Sequence, residues 1–351
     1  MPNTLLIGKA AVPRCPLLRM GSDNSAKRDQ RGEPRSRGSG ASADNLRPMT
    51  GALFCTMVLT VPRLTFLPTI VREALGSRSL PREPEPDLVM GGEEQVAAYT
   101  KAGRVDGVMS AAYLFHSAHA TATIGGSRVV VDLGCGPATQ LVQIAELNPK
   151  TSFLGIDLSE RMLEQADAYA HGRGVGNVRF EQGDITNLES IASGSVDGVI
   201  STMALHHLPS MHQLRACFGE IARVLKPDGA LYLADFGRLK SLKSVIFFAY
   251  MNAAHQPHIF SLDYERSLRA AFLFDELKSM AIEQLPREAH AYATFISPLV
   301  TVVQTPPRTL SPDLRAKLKT MRMALPRRYR KDLDDLRLFF RLGGLPEDPF
   351  R

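Results

Sequence analysis

The chain has 351 residues, 44% of them apolar and 22% charged, with 27 glycines and 23 prolines. That is length for one large domain or two ordinary ones, and the balance of a globular protein rather than a disordered or collagen-like one. Its four cysteines, Cys15, Cys55, Cys135 and Cys217, are far apart with no Cys-x-x-Cys pair, which excludes a disulfide scaffold and a cysteine zinc cluster and fits a reducing compartment. The net charge of +6 sits at the ends: residues 1–48 hold 9 Lys/Arg against 4 Asp/Glu, residues 308–351 hold 12 against 6, and the body between them is at −5. A mildly acidic body argues against a groove that tracks nucleic-acid phosphates.

Residues 1–48 read as a disordered basic extension, because 21–47 are rich in Gly, Ser and Arg and nearly free of large apolar side chains. Residues 49–92 read as an N-terminal arm and linker. The apolar stretch 51–71 is broken by Pro62, Arg63 and Pro68, and its first uninterrupted run is too short to span a bilayer; the Pro/Glu run 81–87 reads as linker. A helical pattern follows from Glu93 to about Ile124. Strands are then predicted at 128–133, 153–157, 177–181, 196–201 and 230–235, alternating with helices near 138–147, 159–170, 186–192 and 211–225. Further helices are predicted at 242–254 and 263–280, a strand pair near 282–290 and 297–304, and a helix over 311–325 opened by Ser311-Pro312-Asp313. Short apolar strands between amphipathic helices predict an α/β fold, a doubly wound, mostly parallel sheet.

The sharpest local feature is Val129-Val-Val-Asp132-Leu-Gly134-Cys135-Gly136-Pro-Ala138. An apolar strand ends in an acid and runs through Gly-x-Gly into a helix, so a ligand can lie against bare backbone and helix N–H groups. Thr139 occupies the place of a third dinucleotide-loop glycine, and no Gly-Lys-Ser/Thr ending follows. Asp157 closes the second strand, 21 residues after Gly136, where a carboxylate can accept both hydroxyls of a ribose or cap the next helix. Asp184 follows the third strand, with Ile185 beside it. From these residues alone the reading is a nucleoside-binding α/β domain.

Asp132-Leu-Gly-Cys-Gly136, Gly155-Ile-Asp157-Leu-Ser, Gly183-Asp184, Ala204-Leu-His-His-Leu208 and Leu225-Lys-Pro-Asp-Gly229, taken in order, resemble the motifs of class I S-adenosylmethionine-dependent methyltransferases, in particular the type 11 small-molecule group. The resemblance covers roughly residues 93–304. It implies a Rossmann-like seven-stranded sheet with helices on both faces over residues 93–307, with residues 237–272 as a substrate-covering insert and 308–351 as a helical tail. It implies S-adenosyl-L-methionine as cofactor and in-line methyl transfer to a small-molecule acceptor. Asp132, Gly134, Cys135 and Gly136 would surround the methionine half, Asp157 the ribose, with Leu158 against the adenine; Asp184 and Ile185 would read the adenine, and Ser201 would give backbone contacts near the methionine amino group. Ala138 stands where many members carry glycine.

Candidates for a base that removes the acceptor's proton are His206 and His207 after the fourth strand, and His255 and His258 in the insert. The first pair reads equally as family turn structure and the second as surface histidines. Tyr99 and Tyr113 lie in the first helical segment, Tyr250 and Tyr264 in the insert. Asp235 is followed by Phe236, unlike the Asp–Asn pair of metal-dependent catechol O-methyltransferases, so no catalytic metal is expected. Nucleic-acid partners and stable membrane insertion are disfavoured; a cytoplasmic monomer or homodimer is expected. Two other readings stay open: a non-catalytic protein that binds the cofactor or its demethylated product as a partner or regulatory subunit, and a nicotinamide-dependent oxidoreductase.

Overall fold

The computed structural model describes residues 63–86, 97, 101–102, 107–285 and 288–351. The predicted disordered extension, the first part of the apolar stretch 51–71, and most of 93–106 lie outside the described residues.

Seven strands form one sheet in the order β3-β2-β1-β4-β5-β7-β6. They are β1 (Val129–Leu133), β2 (Ser152–Asp157), β3 (Val178–Gln182), β4 (Val196–Thr202), β5 (Leu225–Phe236), β6 (His290–Ala293) and β7 (Val300–Gln304). The first five are parallel to one another; β7 runs antiparallel to both β5 and β6. The chain winds outward from β1 to β3, then returns to place β4 on the other flank of β1. That reversal leaves a crevice beyond the carboxyl ends of β1 and β4, where open α/β sheets bind ligands.

The central strands are apolar almost throughout because both faces are covered. Val130, Ile200 and Tyr232 point into one core with α2 (Ser110–Thr123), α3 (Thr139–Leu147), α4 (Glu160–Gly172) and α10 (Arg327–Leu342). Their neighbours Val131, Val199 and Leu231 point the other way, into a core with α5 (Met211–Val224) and α8 (Phe274–Gln284). The Phe115 and Phe340 rings stack at 5.0 Å and tie α10 to α2. Two further helices, α6 (Leu242–Tyr250) and α7 (His258–Ala270), form the insert after β5; α1 (Leu67–Leu75) and α9 (Pro312–Ala324) complete the set used here. As predicted, Ser311 caps α9, accepting from the Leu314 N–H.

Four predicted elements differ. Residues 186–192 are turns, not a helix, because the Asp184 carboxylate takes the N–H and hydroxyl of Thr186 and closes a local turn. The helix predicted over 263–280 is two, α7 and α8, interrupted at 271–273. The strand predicted near 282–290 begins as the last turn of α8, up to Gln284, and β6 begins only at His290. The strand predicted at 230–235 is longer: β5 begins at Leu225 and carries a bulge, with Leu225 paired to Val196 and Ala230 to Gly198.

Candidate active site

The loop after β1 is built from left-handed residues. Gly134, Gly136 and Ala138 have φ of 71°, 52° and 55°. A Cβ on Gly134 would overlap that of Ala204, whereas one on Gly136 meets nothing within 4 Å, so Gly136 faces open space. Ala138 takes the conformation that a glycine would adopt without strain, at a cost of about 1–2 kcal/mol. The loop is latched to β2: the Gly134 and Cys135 N–H groups donate to the Ile156 carbonyl, and the Gly136 N–H donates to the Asp157 carboxylate at 2.8 Å. The other Asp157 oxygen accepts from the Ser159 N–H at 2.9 Å. Ser159, not Asp157, caps α4.

A cavity of about 190 Å³ opens at this edge, and Asp132, Asp157 and Asp184 line it together. Asp132 is 4% exposed; burial, then the Asp157 charge, pushes its carboxyl well above the usual range. Burial also raises Asp157, against three backbone hydrogen bonds that pull it down. No Lys or Arg is among the described lining residues. Gln140, at the start of α3, also lines it; its Oε1 accepts from the Thr202 hydroxyl, while its Nε2 is buried without a partner. The cavity therefore offers carboxylates without a cation, an unused amide donor and bare backbone, which fits an adenosyl group carrying a positive sulfur, an ammonium and a carboxylate.

Gly134, Cys135, Gly136, Leu158 and Ile185 are brought to this cavity, as is His207. Cys135 is a thiol pushed well above its ordinary value, by burial first and then by Asp132 and Asp157. The structure places Ser201 elsewhere: it is fully buried and its hydroxyl donates to the Leu133 carbonyl at 2.8 Å, while Thr202, Met203 and Ala204 supply the lining. His206 stands behind the wall. His255 and His258 are exposed and line neither this cavity nor the apolar one described below. Tyr113, from α2, reaches the cavity, and its hydroxyl is pushed up to about 12 by burial, against a hydrogen bond to Thr139.

The Pro/Glu segment read as a linker lies against this edge. Arg82 donates to the carbonyls of Ala270, Pro209, His206 and Leu208 and stacks 4.0 Å over Phe272. It carries Glu85 to within 3.6 Å of His206 Nε2 and 3.5 Å of His207 Nδ1. On the far side, His206 Nδ1 donates to Asp235 at 2.6 Å, and the other Asp235 oxygen accepts from the His206 backbone N–H at 2.9 Å. Burial lowers the His206 pKa, but the Asp235 charge and hydrogen bond and the Glu85 charge outweigh it, so the net shift is upward. Burial raises Glu85, and burial beside His206 drives His207 well down. The donor atoms of Glu85, His206 and His207 lie within 4.8 Å of one another, the spacing of a cation site. A protonated His206 bridging two carboxylates has no lone pair for a metal, so the raised pKa favours a proton relay. Arg82 and Glu85 carry no sequence signal, because their partners are 121 or more residues away and only the fold joins them.

A second cavity of about 170 Å³ shares Met203 with the first. Met203 is non-glycine at φ 55°. The walls of this cavity come from α1, α2, the insert and α10, including Phe66, Ala112, Phe236, Phe248 and Phe339.

Residues 125–267 match a family described as a methyltransferase domain. Over these residues the chain is similar to a methyltransferase domain. It is similar to trans-aconitate 2-methyltransferase of Deinococcus radiodurans, 43% identical over 102 residues, which are 29% of this chain and 35% of that relative. It is 28% identical over 170 residues to the ubiquinone biosynthesis O-methyltransferase of Cupriavidus pinatubonensis, 48% of this chain and 54% of the relative. The chain thus spans about a third to a half of the length of these relatives. A solved SAM-dependent methyltransferase from Aquifex aeolicus aligns with 62% of this chain and 98% of its own at 14% identity and a TM-score of 0.43.

Proposed function

We propose that this methyltransferase uses S-adenosyl-L-methionine to methylate a small-molecule acceptor. The observation that carries the reading is the convergence of Asp132, Asp157 and Asp184, from the ends of three parallel strands, on one cavity with no Lys or Arg among its described lining residues. The cofactor supplies a methyl activated on a sulfonium, displaced in line by the acceptor's nucleophile. Asp157 holds the ribose with the acceptor capacity left after its backbone hydrogen bonds. Asp184 and Ile185 sit at the adenine, Asp132 beside the positive end, and Gln140 Nε2 donates to the carboxylate. Orientation and exclusion of water supply most of the acceleration, since no covalent enzyme intermediate is needed.

His207 is the base for an acceptor that must lose a proton. Its ring lines the cofactor cavity, its depressed pKa keeps it neutral, and its Nδ1 stands 3.5 Å from the Glu85 carboxylate. His206, between Asp235 and Glu85, acts through them as a positioning residue. The chain works as a soluble enzyme; no helix among the described residues is long and apolar enough to cross a membrane. The open second cavity against Met203 disfavours the non-catalytic reading, which requires no acceptor space. Methyl uptake from radiolabelled cofactor into a metabolite extract tests the proposal: incorporation that requires His207 supports it, and an extract left unlabelled while the cofactor binds favours the regulatory reading.

A further inference from the structure

The second cavity has the chemistry of an acceptor site of a particular kind. Its described lining is aromatic and aliphatic, with Phe66, Phe236, Phe248 and Phe339 from four separate segments and Met203 as the wall in common with the cofactor cavity. No Lys, Arg or His is among the described lining residues. Its two acids face cations, Asp332 with Arg63 and Asp335 with Lys331 and Arg63, although Asp335 Oδ2 accepts no hydrogen bond. Few polar atoms remain to fix orientation, among them the buried and unpartnered Ser297 hydroxyl and the Asn252 side chain. An anionic acceptor would be desolvated there without a counter-charge, whereas a flat ring system gains buried apolar area on both faces. Met203 adopts a conformation that side chains other than glycine avoid, and such strain persists where the surroundings hold a residue in a functional position.

We propose that this cavity binds the acceptor, and that the acceptor is an uncharged, ring-bearing hydrophobic molecule with a hydroxyl or amine directed past Met203 toward the methyl donor. This rests on the methyl-transfer reading and names its substrate class. The site draws on α1 and α10 as well as on the insert, so residues outside the matched methyltransferase domain set the specificity.

The chain has no tryptophan, so Phe339→Trp places a single fluorescent reporter in the wall. Titration of that variant of the full chain with 1-naphthol and with 4-phenylphenol, in the presence of S-adenosylhomocysteine, is expected to shift or quench its emission with saturation. Citrate and succinate are expected to leave it unchanged. Adding Ala112→Phe, which fills the cavity from α2, is expected to weaken the phenols at least tenfold while S-adenosylhomocysteine affinity stays within twofold. If Ala112→Phe does not fold, Leu336→Trp in the otherwise native chain is read by calorimetry for the same loss. Phenol binding indifferent to the filling substitution, or saturable binding of the carboxylates in its place, overturns the proposal. Loss of S-adenosylhomocysteine binding by the native chain would instead count against the cofactor reading.

Discussion

His206 and Asp235 clasp each other twice: Nδ1 donates to one carboxylate oxygen at 2.6 Å and the backbone N–H of the same histidine donates to the other at 2.9 Å. Both side chains are almost wholly buried, at 2% and 3% exposure. The pair joins the turn after β4 to the end of β5, and Glu85 on the far side of the imidazole extends it to the N-terminal segment. Removing one partner leaves a buried charge uncompensated, so His206→Ala is expected to cost about 3–5 kcal/mol of stability, measured by denaturant unfolding. A loss below 1 kcal/mol would mean that the cluster is solvated.

The same cluster sets a pH dependence. The folded-state pKa of His206 lies above its ordinary value of 6.5, so its stabilisation is complete below about pH 6.5 and is lost as pH rises through the elevated value. Thermal unfolding followed from pH 6 to 9 is expected to show a falling midpoint, with the alkaline part of the fall absent in His206→Gln. An identical profile in the variant would remove His206 as its origin.

Arg82 fastens the strap through four carbonyls and the face of Phe272. Arg82→Ala is expected to lower kcat at least tenfold with cofactor affinity within threefold, and to expose the segment around residues 76–86 to limited proteolysis. Arg82→Lys should not rescue, since an ammonium cannot reproduce the planar fork. Unchanged turnover in Arg82→Ala would detach the strap from catalysis.

The raised carboxyls of Asp132 and Asp157 carry a binding signature. A cation entering between them favours their ionised forms, so S-adenosylmethionine binding releases protons at mildly acidic pH, and affinity falls as the pH is lowered through the raised values. Calorimetry at pH 5.5 in two buffers of different ionisation enthalpy is expected to show this release. Net proton uptake would contradict the placement of the positive end.

Gly134 and Gly136 separate folding from binding. Gly134→Ala adds a Cβ that overlaps Ala204 at a left-handed φ, and is expected to cost about 2–4 kcal/mol of stability. Gly136→Ala meets no protein atom and carries only the left-handed strain of about 1–2 kcal/mol, so it should cost less stability than Gly134→Ala while still weakening the cofactor. Equal effects of the two on stability would refute that division.

The sequence shows most of the cofactor edge because its determinants are local. Asp132 and Asp157 sit at the ends of apolar strands and Asp184 lies two residues beyond the third strand, and the parallel pairing carries all three to one rim. What could not be read depends on distant partners. Glu85 and Arg82 look like linker residues until β4 and the insert are folded beneath them, and Leu336 and Phe339 look like an ordinary amphipathic face until α10 closes over the second cavity. Short elements failed for a related reason: over 186–192 the two hydrogen bonds that Asp184 accepts from Thr186 outweigh helix propensity.

Calorimetric titration of the full chain with S-adenosylmethionine and S-adenosylhomocysteine, repeated on Asp157→Ala, is the most direct test. The native chain should bind both at a single site, and the variant should bind about 2–4 kcal/mol more weakly, roughly 30- to 700-fold at 1.4 kcal/mol per decade. Failure of the native chain to bind either compound at millimolar concentration, or an Asp157→Ala affinity equal to the native one, would contradict the assignment of this cavity to the methyl donor.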